Sequence, residues 1–386
     1  MNRCDLADYL QQQHEQHCYR QRHVVQGPQG TQLTINQKSY LNFCSNDYLG
    51  LANHPQVVEA FNQGARLYGV GSGASHLING HSEAHHRLEL ALAEFVGRPR
   101  ALLFSTGYMA NLGVISSLMA RGDTVFEDRL NHASLLDGGL LSQARLQRYQ
   151  HNDLTDLEHK LSQSKAKTKL ICSDGVFSMD GDIAPVADLS ALAKQHQAWL
   201  MIDDAHGLGV LGEHGKGCMS LFDLSCEEVP ILVGTFGKAL GTFGAFVAGS
   251  ENLIETLIQR ARSYIYTTAL PAAIAEATRV SLKVMQAETW RRETLTEHIA
   301  YFKQCATTAG LPVTDSNSAI QPIMIGDVAK TVELSQQLHQ AGIMVSAIRP
   351  PTVPEGTARL RVTLSAEHTR QQIQQLVTQI AACLNN

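Results

Sequence analysis

From about residue 46 to residue 285 the chain alternates short apolar runs with amphipathic helical segments. ALLFST (101–106) precedes a helical stretch from Met109 to Met119, and TVFED (124–128) precedes another. KLICSD (169–174), WLMIDD (199–204), ILVGTF (231–236) and GAFVAG (244–249) continue the series. Runs of five or six residues that are apolar throughout, separated by helices, read as strands buried on both faces and joined by crossover helices. This pattern predicts an α/β domain built on a mostly parallel sheet.

At 386 residues the chain is too long for one small core. Residues 1–25 read as an amphipathic helix with Leu6, Tyr9 and Leu10 on one face. A β-like segment follows at Thr31–Phe43, after the breakers Gly27, Pro28 and Gly30. A long charged helix over 286–312 then opens a different pattern. There IQPIMIG, GIMVSAI and ARLRVTLS are strand candidates, with helices at 328–341 and 366–384. The expected organisation is an N-terminal helix and β arm (1–45), a large domain (46–285) and a smaller C-terminal α+β domain (286–386).

A net charge of −5, without a Lys/Arg run, gives no electrostatic footprint for nucleic acid or an anionic membrane. The start, MNRCDLADYLQQQHEQ, lacks the apolar core of a signal peptide, and no apolar stretch is long enough to span a bilayer. Eight scattered cysteines without a C-x-x-C pair argue against a disulfide framework or a zinc site. The expectation is a soluble cytoplasmic protein that acts on small molecules.

Chemistry concentrates where the strand candidates end, the edge at which open α/β sheets bind ligands. WLMIDDAHGLGVLG places Asp203, Asp204 and His206 at one such end, and ILVGTFGKALG places Lys238 just past the next, between Gly237 and Gly241. A lysine that can lose its proton can form an imine. Pyridoxal phosphate (PLP) chemistry also needs a carboxylate to keep the pyridine nitrogen protonated, and Asp203 is the candidate. Either motif alone is equally an ordinary helix cap or loop lysine; the two together, in this order, are far more specific. FSTGYMANLG sets Ser105, Thr106 and Gly107 immediately before a helix, where free N–H groups favour a phosphate. Ser178 and Thr235 supply hydroxyls at further strand ends.

Three look-alikes fail. GVGSGASHLING (69–80) follows a helix-like stretch and displaces the third glycine of a dinucleotide fingerprint. GTFGKA has Ala239 where a Walker loop needs Ser or Thr. In HSEAHHRLE, His81, His85 and Glu89 lie one helical turn apart, but no H-E-x-x-H pattern is present, and a solvated helix face is the expectation.

Taken in order, LNFCSNDYLGLANHP, GSGASHLINGHSEAHHRLE, NHASLLDG, DGVFSMDGD, DDAHGLGVLG, TFGKALGTFGA, YIYTTALP and AIRPPTVPEGTARLRVTLSAEHT resemble the α-oxoamine synthases over nearly the whole chain. The resemblance implies a fold-type I PLP-dependent transferase that condenses an amino acid with an acyl thioester and releases carbon dioxide. The resemblance of AIRPPTVPEGTARLR in particular implies L-alanine and a pimeloyl (6-carboxyhexanoyl) thioester on an acyl carrier protein or CoA as substrates.

It also implies residue roles. Lys238 would carry the cofactor as a Schiff base, Asp203 would pair with the pyridine nitrogen, His206 with the phenolic oxygen, and His132 would stack on the ring. Gly107 and Tyr108 would hold the phosphate by backbone amides, with Ser178 and Thr235 assisting. Thr267 or Thr268 would reach the phosphate from a second subunit of a homodimer, with the active sites at the interface. Arg361 would bind the amino-acid carboxylate, and Arg20, Thr352 and Asn46 would contact substrate. Asp174, Ala269 and the GSGAS turn depart from the family pattern without removing a catalytic group. Glycine-using relatives, a PLP aminotransferase and a PLP-binding regulator are the competing readings; the last would carry a DNA-binding extension that this sequence lacks.

Overall fold

A computed structural model of the protein describes residues 6–385, and the chain divides into two compact units. One comprises Leu49–Ser178 and Asp182–Arg292; the other comprises Met1–Tyr48, Met179–Gly181 and Glu293–Asn386.

The first unit is built on a seven-stranded sheet. Its strands are β1 (Arg100–Phe104), β2 (Thr124–Asp128), β3 (Arg145–Tyr149), β4 (Lys169–Asp174), β5 (Trp199–Asp203), β6 (Ile231–Thr235) and β7 (Ala245–Gly249). The spatial order is β1-β7-β6-β5-β4-β2-β3. β2 through β6 pair in parallel, and β7 runs antiparallel between β6 and β1. The predicted mostly parallel sheet is therefore present, with β7 as its one antiparallel strand. Two buried clusters explain why its strands read as apolar throughout. Leu170, Cys172, Met201, Ile231 and Val233 pack on one face with Val114 and Leu257; Ile171, Leu200, Ile202 and Leu232 pack on the other with Leu157 and Leu189. Each fully buried Leu or Ile contributes roughly 1.5–3 kcal/mol.

β3 was not foreseen. Its sequence, RLQRY, is an edge strand whose first four residues are all exposed or half-buried, so it carries no apolar run to betray it.

In the second unit, Gln32–Ile35 and Lys38–Asn42 form a hairpin, turning at Asn36 and Gln37 with φ of 49° and 63°. Val25–Gln26 pairs with one side and Ile343–Met344 with the other. A second sheet has Ala358–Thr363 between Ile320–Gly326 and Ser346–Ile348. GIMVSAI is thus two short strands of different sheets rather than one, parting at Val345, whose carbonyl is taken by the Ser335 hydroxyl at 2.7 Å. Helix Val328–Gln340 lies where the sequence pattern put it, and Arg370–Asn385 begins four residues later than expected. The expected 286–312 helix is instead the end of Ala272–Ala287 plus a separate helix, Trp290–Thr308. Among the described residues the N-terminal helix spans Leu6–Glu15 and ends well short of residue 25, and Leu6, Tyr9 and Leu10 are exposed. The start of the expected 1–25 helix lies outside the described residues. Among the described residues no helix is long and apolar enough to cross a membrane.

The loop after β6 is tightly held. The Gly241 N–H donates to the Lys238 carbonyl (2.8 Å), Thr242 N–H to the Phe236 carbonyl (2.9 Å), and the Ser281 hydroxyl to the Leu240 carbonyl (2.6 Å). Gly241 has φ +62°, and a Cβ there would collide with the backbone of Leu51 and Ala52. Gly241→Ala is expected to destabilise the protein by about 2–5 kcal/mol, the sum of left-handed strain and overpacking. Urea unfolding measures it, and a loss under about 1 kcal/mol would mean the loop yields freely.

Candidate active site at the carboxyl edge of the sheet

Gly107, Tyr108, His132, Ser178, Asp203, His206, Thr235 and Lys238 all line one cavity of about 180 Å³, together with Ser134, Asp174 and Ala205. The topology accounts for this convergence. Asp174 and Asp203 are the last residues of β4 and β5, Thr235 ends β6, and Gly107 begins the helix Gly107–Leu118 that follows β1.

Asp203 is buried, and its two carboxylate oxygens are engaged. Oδ2 accepts from Asn111 Nδ2 at 2.6 Å and Oδ1 from the Ala205 N–H at 3.0 Å. Asp204, its neighbour in sequence, faces away. Its Oδ2 accepts from the Cys218 N–H at 2.7 Å, and burial pushes its carboxyl up to about 7. Consecutive residues at a strand end point to opposite faces, so one aspartate serves the cavity and the other the core beneath it.

Asp174 lies in register beside Asp203 across the parallel pair and accepts the His132 N–H at 2.7 Å. Burial, then the nearby Asp203 carboxylate, pushes its carboxyl well above the usual range. Burial lowers the His132 imidazole; Asp203 opposes this and Lys238 adds to it. His132 Nδ1 accepts the Ser134 N–H at 3.3 Å and lies 2.7 Å from the Ser134 hydroxyl. A neutral ring whose Nδ1 accepts carries its proton on Nε2.

The phosphate end is a helix N-terminus. Thr106 Oγ1 caps it by accepting the Met109 N–H at 3.2 Å, while Gly107 and Tyr108 come too early in the helix for their amides to find intrahelical acceptors. The space beside Gly107 is open. Thr235 Oγ1 donates to the Gly244 carbonyl at 3.0 Å, which leaves its oxygen able to accept. The Tyr108 hydroxyl bonds Asp137. An open amide cradle, a buried carboxylate and a lysine lining one cavity fit the phosphate, pyridine nitrogen and aldehyde of PLP.

Thr267 and Thr268 do not line this cavity. Thr267 Oγ1 donates to the Ser263 carbonyl at 2.6 Å, and Thr268 bridges to Ser75. Arg20, Asn46, Thr352 and Arg361 belong to the other unit. There Arg361, on the strand Ala358–Thr363 and buried, donates to Asn46 Oδ1 at 3.2 Å. Arg20 and Thr352 line a separate cavity of about 310 Å³, of which Arg22 is not part.

Sequence reasoning missed Asn111 and Ser134. Asn111 is fully buried and ties Asp203 to the Ser134 hydroxyl, to which its Nδ2 donates at 2.8 Å. The signal was a lone amide on the buried side of a largely apolar helix, four residues past Gly107.

A family model described as aminotransferase class I and II matches residues 38–380. The 8-amino-7-oxononanoate synthase of Nitrosococcus oceani is 60% identical over 97% of this chain and all of its own length. That of Methylococcus capsulatus is 60% identical over 98% of this chain and 97% of its own. Among solved structures, a Sphingomonas wittichii serine palmitoyltransferase superposes with a TM-score of 0.89 at 35% identity, covering 92% of this chain and 90% of that one. An 8-amino-7-oxononanoate synthase from Francisella tularensis gives 0.79 at 34% identity over 90% and 98%. The fold is that of the fold-type I PLP transferases, and PLP is the cofactor.

The two aspartates give opposite expectations. Asp203→Asn is expected to lower turnover at least about a hundredfold, since a neutral amide cannot hold a proton on the pyridine nitrogen. Asp204→Asn should keep the visible absorption of the bound cofactor and most of the rate. Exchange of the amino acid's α-proton reads both; normal exchange in Asp203→Asn would transfer the role elsewhere.

Proposed function

The chain belongs to the aminotransferase class I and II family, in its α-oxoamine synthase branch, and on that premise we propose that it condenses L-alanine with a pimeloyl thioester to give 8-amino-7-oxononanoate for biotin biosynthesis. Full-length identity of 57–60% to several 8-amino-7-oxononanoate synthases carries this reading.

The reaction forms a bond between the alanine α-carbon and the thioester carbonyl carbon. The thiol leaves with its carrier, the alanine carboxyl departs as carbon dioxide, and a proton returns to the α-carbon. Bound PLP supplies an electron sink for the charge left on that carbon.

The chain's own groups do the rest. Lys238 Nζ would hold the cofactor's aldehyde carbon and, once freed by the amino acid, would take the α-proton as a neutral amine. Asp203 holds the proton on the pyridine nitrogen, and Asn111 fixes the carboxylate that does it. His206 bonds the phenolic oxygen. His132 would stack on the ring and offer Nε2–H to the incoming carbonyl oxygen, where negative charge develops. Gly107, Tyr108, Ser178 and Thr235 hold the phosphate. Arg361 binds the alanine carboxylate as a bidentate partner, with Asn46 positioning its guanidinium. Arg20 and Thr352 contact the acyl substrate. Thr267 and Thr268 lie off the protomer's cavity, which accords with their serving the phosphate of a second copy in a homodimer.

A glycine-using relative is the second reading, because one methyl group discriminates by only about 1–3 kcal/mol. Alanine and glycine competing for pimeloyl, acetyl and succinyl thioesters, each carried on acyl carrier protein or CoA, with mass spectrometry of the products, decides between them. The dominant product is expected to be 8-amino-7-oxononanoate; faster turnover of glycine with the acetyl or succinyl thioester would move the chain to another branch.

A further inference from the structure

The histidine-rich segment that the sequence set aside as a solvated helix face is not one. GASHLINGHSEAHHRLE passes through a single wide helical turn, His76–Gly80, and enters the helix Glu83–Val96. Gly80 is needed for that tight entry, since a Cβ there would collide with the Ala74 carbonyl. The entry folds His81 back beside the first turns of the helix, where His86 and Glu89 are neighbours three residues apart.

We propose that His81, His86 and Glu89 form a binding site for a late first-row divalent cation, separate from the PLP cavity. One potential ligand atom from each lies within 4.8 Å of the other two. His81 Nε2 and Glu89 Oε2 are 3.9 Å apart. Tetrahedral zinc with nitrogen and oxygen ligands at about 2.0–2.2 Å places them roughly 3.4 Å from one another, so closure needs side-chain adjustments of about an ångström.

The half-buried pair is held from behind. His81 Nδ1 lies 2.9 Å from His76 Nδ1, so its other nitrogen is the one turned to Glu89. Glu89 Oε1 accepts the Leu103 N–H at 3.1 Å, leaving Oε2 toward the histidine. Orientation of a ligating ring through its second nitrogen is the usual support of a metal site. His86 is exposed and provides the way in. The third ligand is thus His86; the sequence had pointed to His85, but His85 Nδ1 takes the Ser82 N–H at 3.0 Å and its Nε2 meets the Leu270 carbonyl at 2.6 Å. Two imidazoles and a carboxylate leave a fourth position to water, the donor set suited to zinc, cobalt or nickel.

Cobalt(II) titrated into the EDTA-treated, PLP-loaded protein tests this. One equivalent is expected to bind with a visible d–d spectrum lacking the thiolate-to-cobalt charge-transfer band that the cysteines would give. His86→Ala, at an exposed position, should weaken binding about a hundredfold while leaving the cofactor spectrum intact. Glu89→Gln, of the same shape, should weaken it comparably. Absence of cobalt binding at micromolar concentration, a thiolate band as the main signal, or unchanged affinity in both variants would overturn the proposal.

Discussion

Most of the catalytic cavity follows from one carboxylate kept out of water. Asp203 ends β5 with its side chain buried, and an ionised carboxylate in that setting costs several kcal/mol unless it is hydrogen-bonded and paired. The Asn111 amide and the Ala205 N–H offset part of that cost and fix its direction. What remains is a demand for a proton donor on the open side, which a protonated pyridine meets. The neighbours conform to the same demand. Asp174, in register beside it, is forced upward by its own burial and then by the Asp203 charge. His132, bonded through its backbone to Asp174 and through Nδ1 to Ser134, is lowered by burial and presents a neutral ring.

Much of this was legible because buried parallel strands announce themselves. TVFED and KLICSD match β2 and β4 residue for residue, and the other runs of the series lie within two residues of their strands at either end. The strand ends in turn locate Asp203, Thr235 and Lys238, since the edge of the sheet is fixed by where apolar runs stop. β3 escaped because its side chains are polar at an edge. Which of Asp203 and Asp204 faces the cavity was not decidable from alternation alone; it depends on the face covered by the helix Gly107–Leu118. Asn111 was invisible for a related reason. Its polar group makes sense only beside a carboxylate 92 residues away in the chain. The choice of His86 over His85 likewise turns on Ser82, three residues back, and on Leu270, 185 residues away, which together occupy His85.

The lysine depends on backbone rather than on packing of its own side chain. Gly241, the Lys238 carbonyl and the bonds from Thr242 and Ser281 make a closed loop whose shape tolerates no Cβ at its end. A rigid loop is what an imine-forming amine requires, because the amine must return to the same place after each displacement. The wide turn at His76–Gly80 follows the same logic elsewhere in the unit, where a glycine lets the chain fold His81 back against its own helix.

The most direct measurement is reduction of the PLP-loaded protein with borohydride, followed by proteolysis and mass mapping of the peptide that keeps the pyridoxyl group. Retention of that group on Lys238 alone, with loss of the visible absorption, is the expected result. A pyridoxyl group on any other lysine, or full absorption and turnover in Lys238→Ala, would contradict the assignment of this cavity.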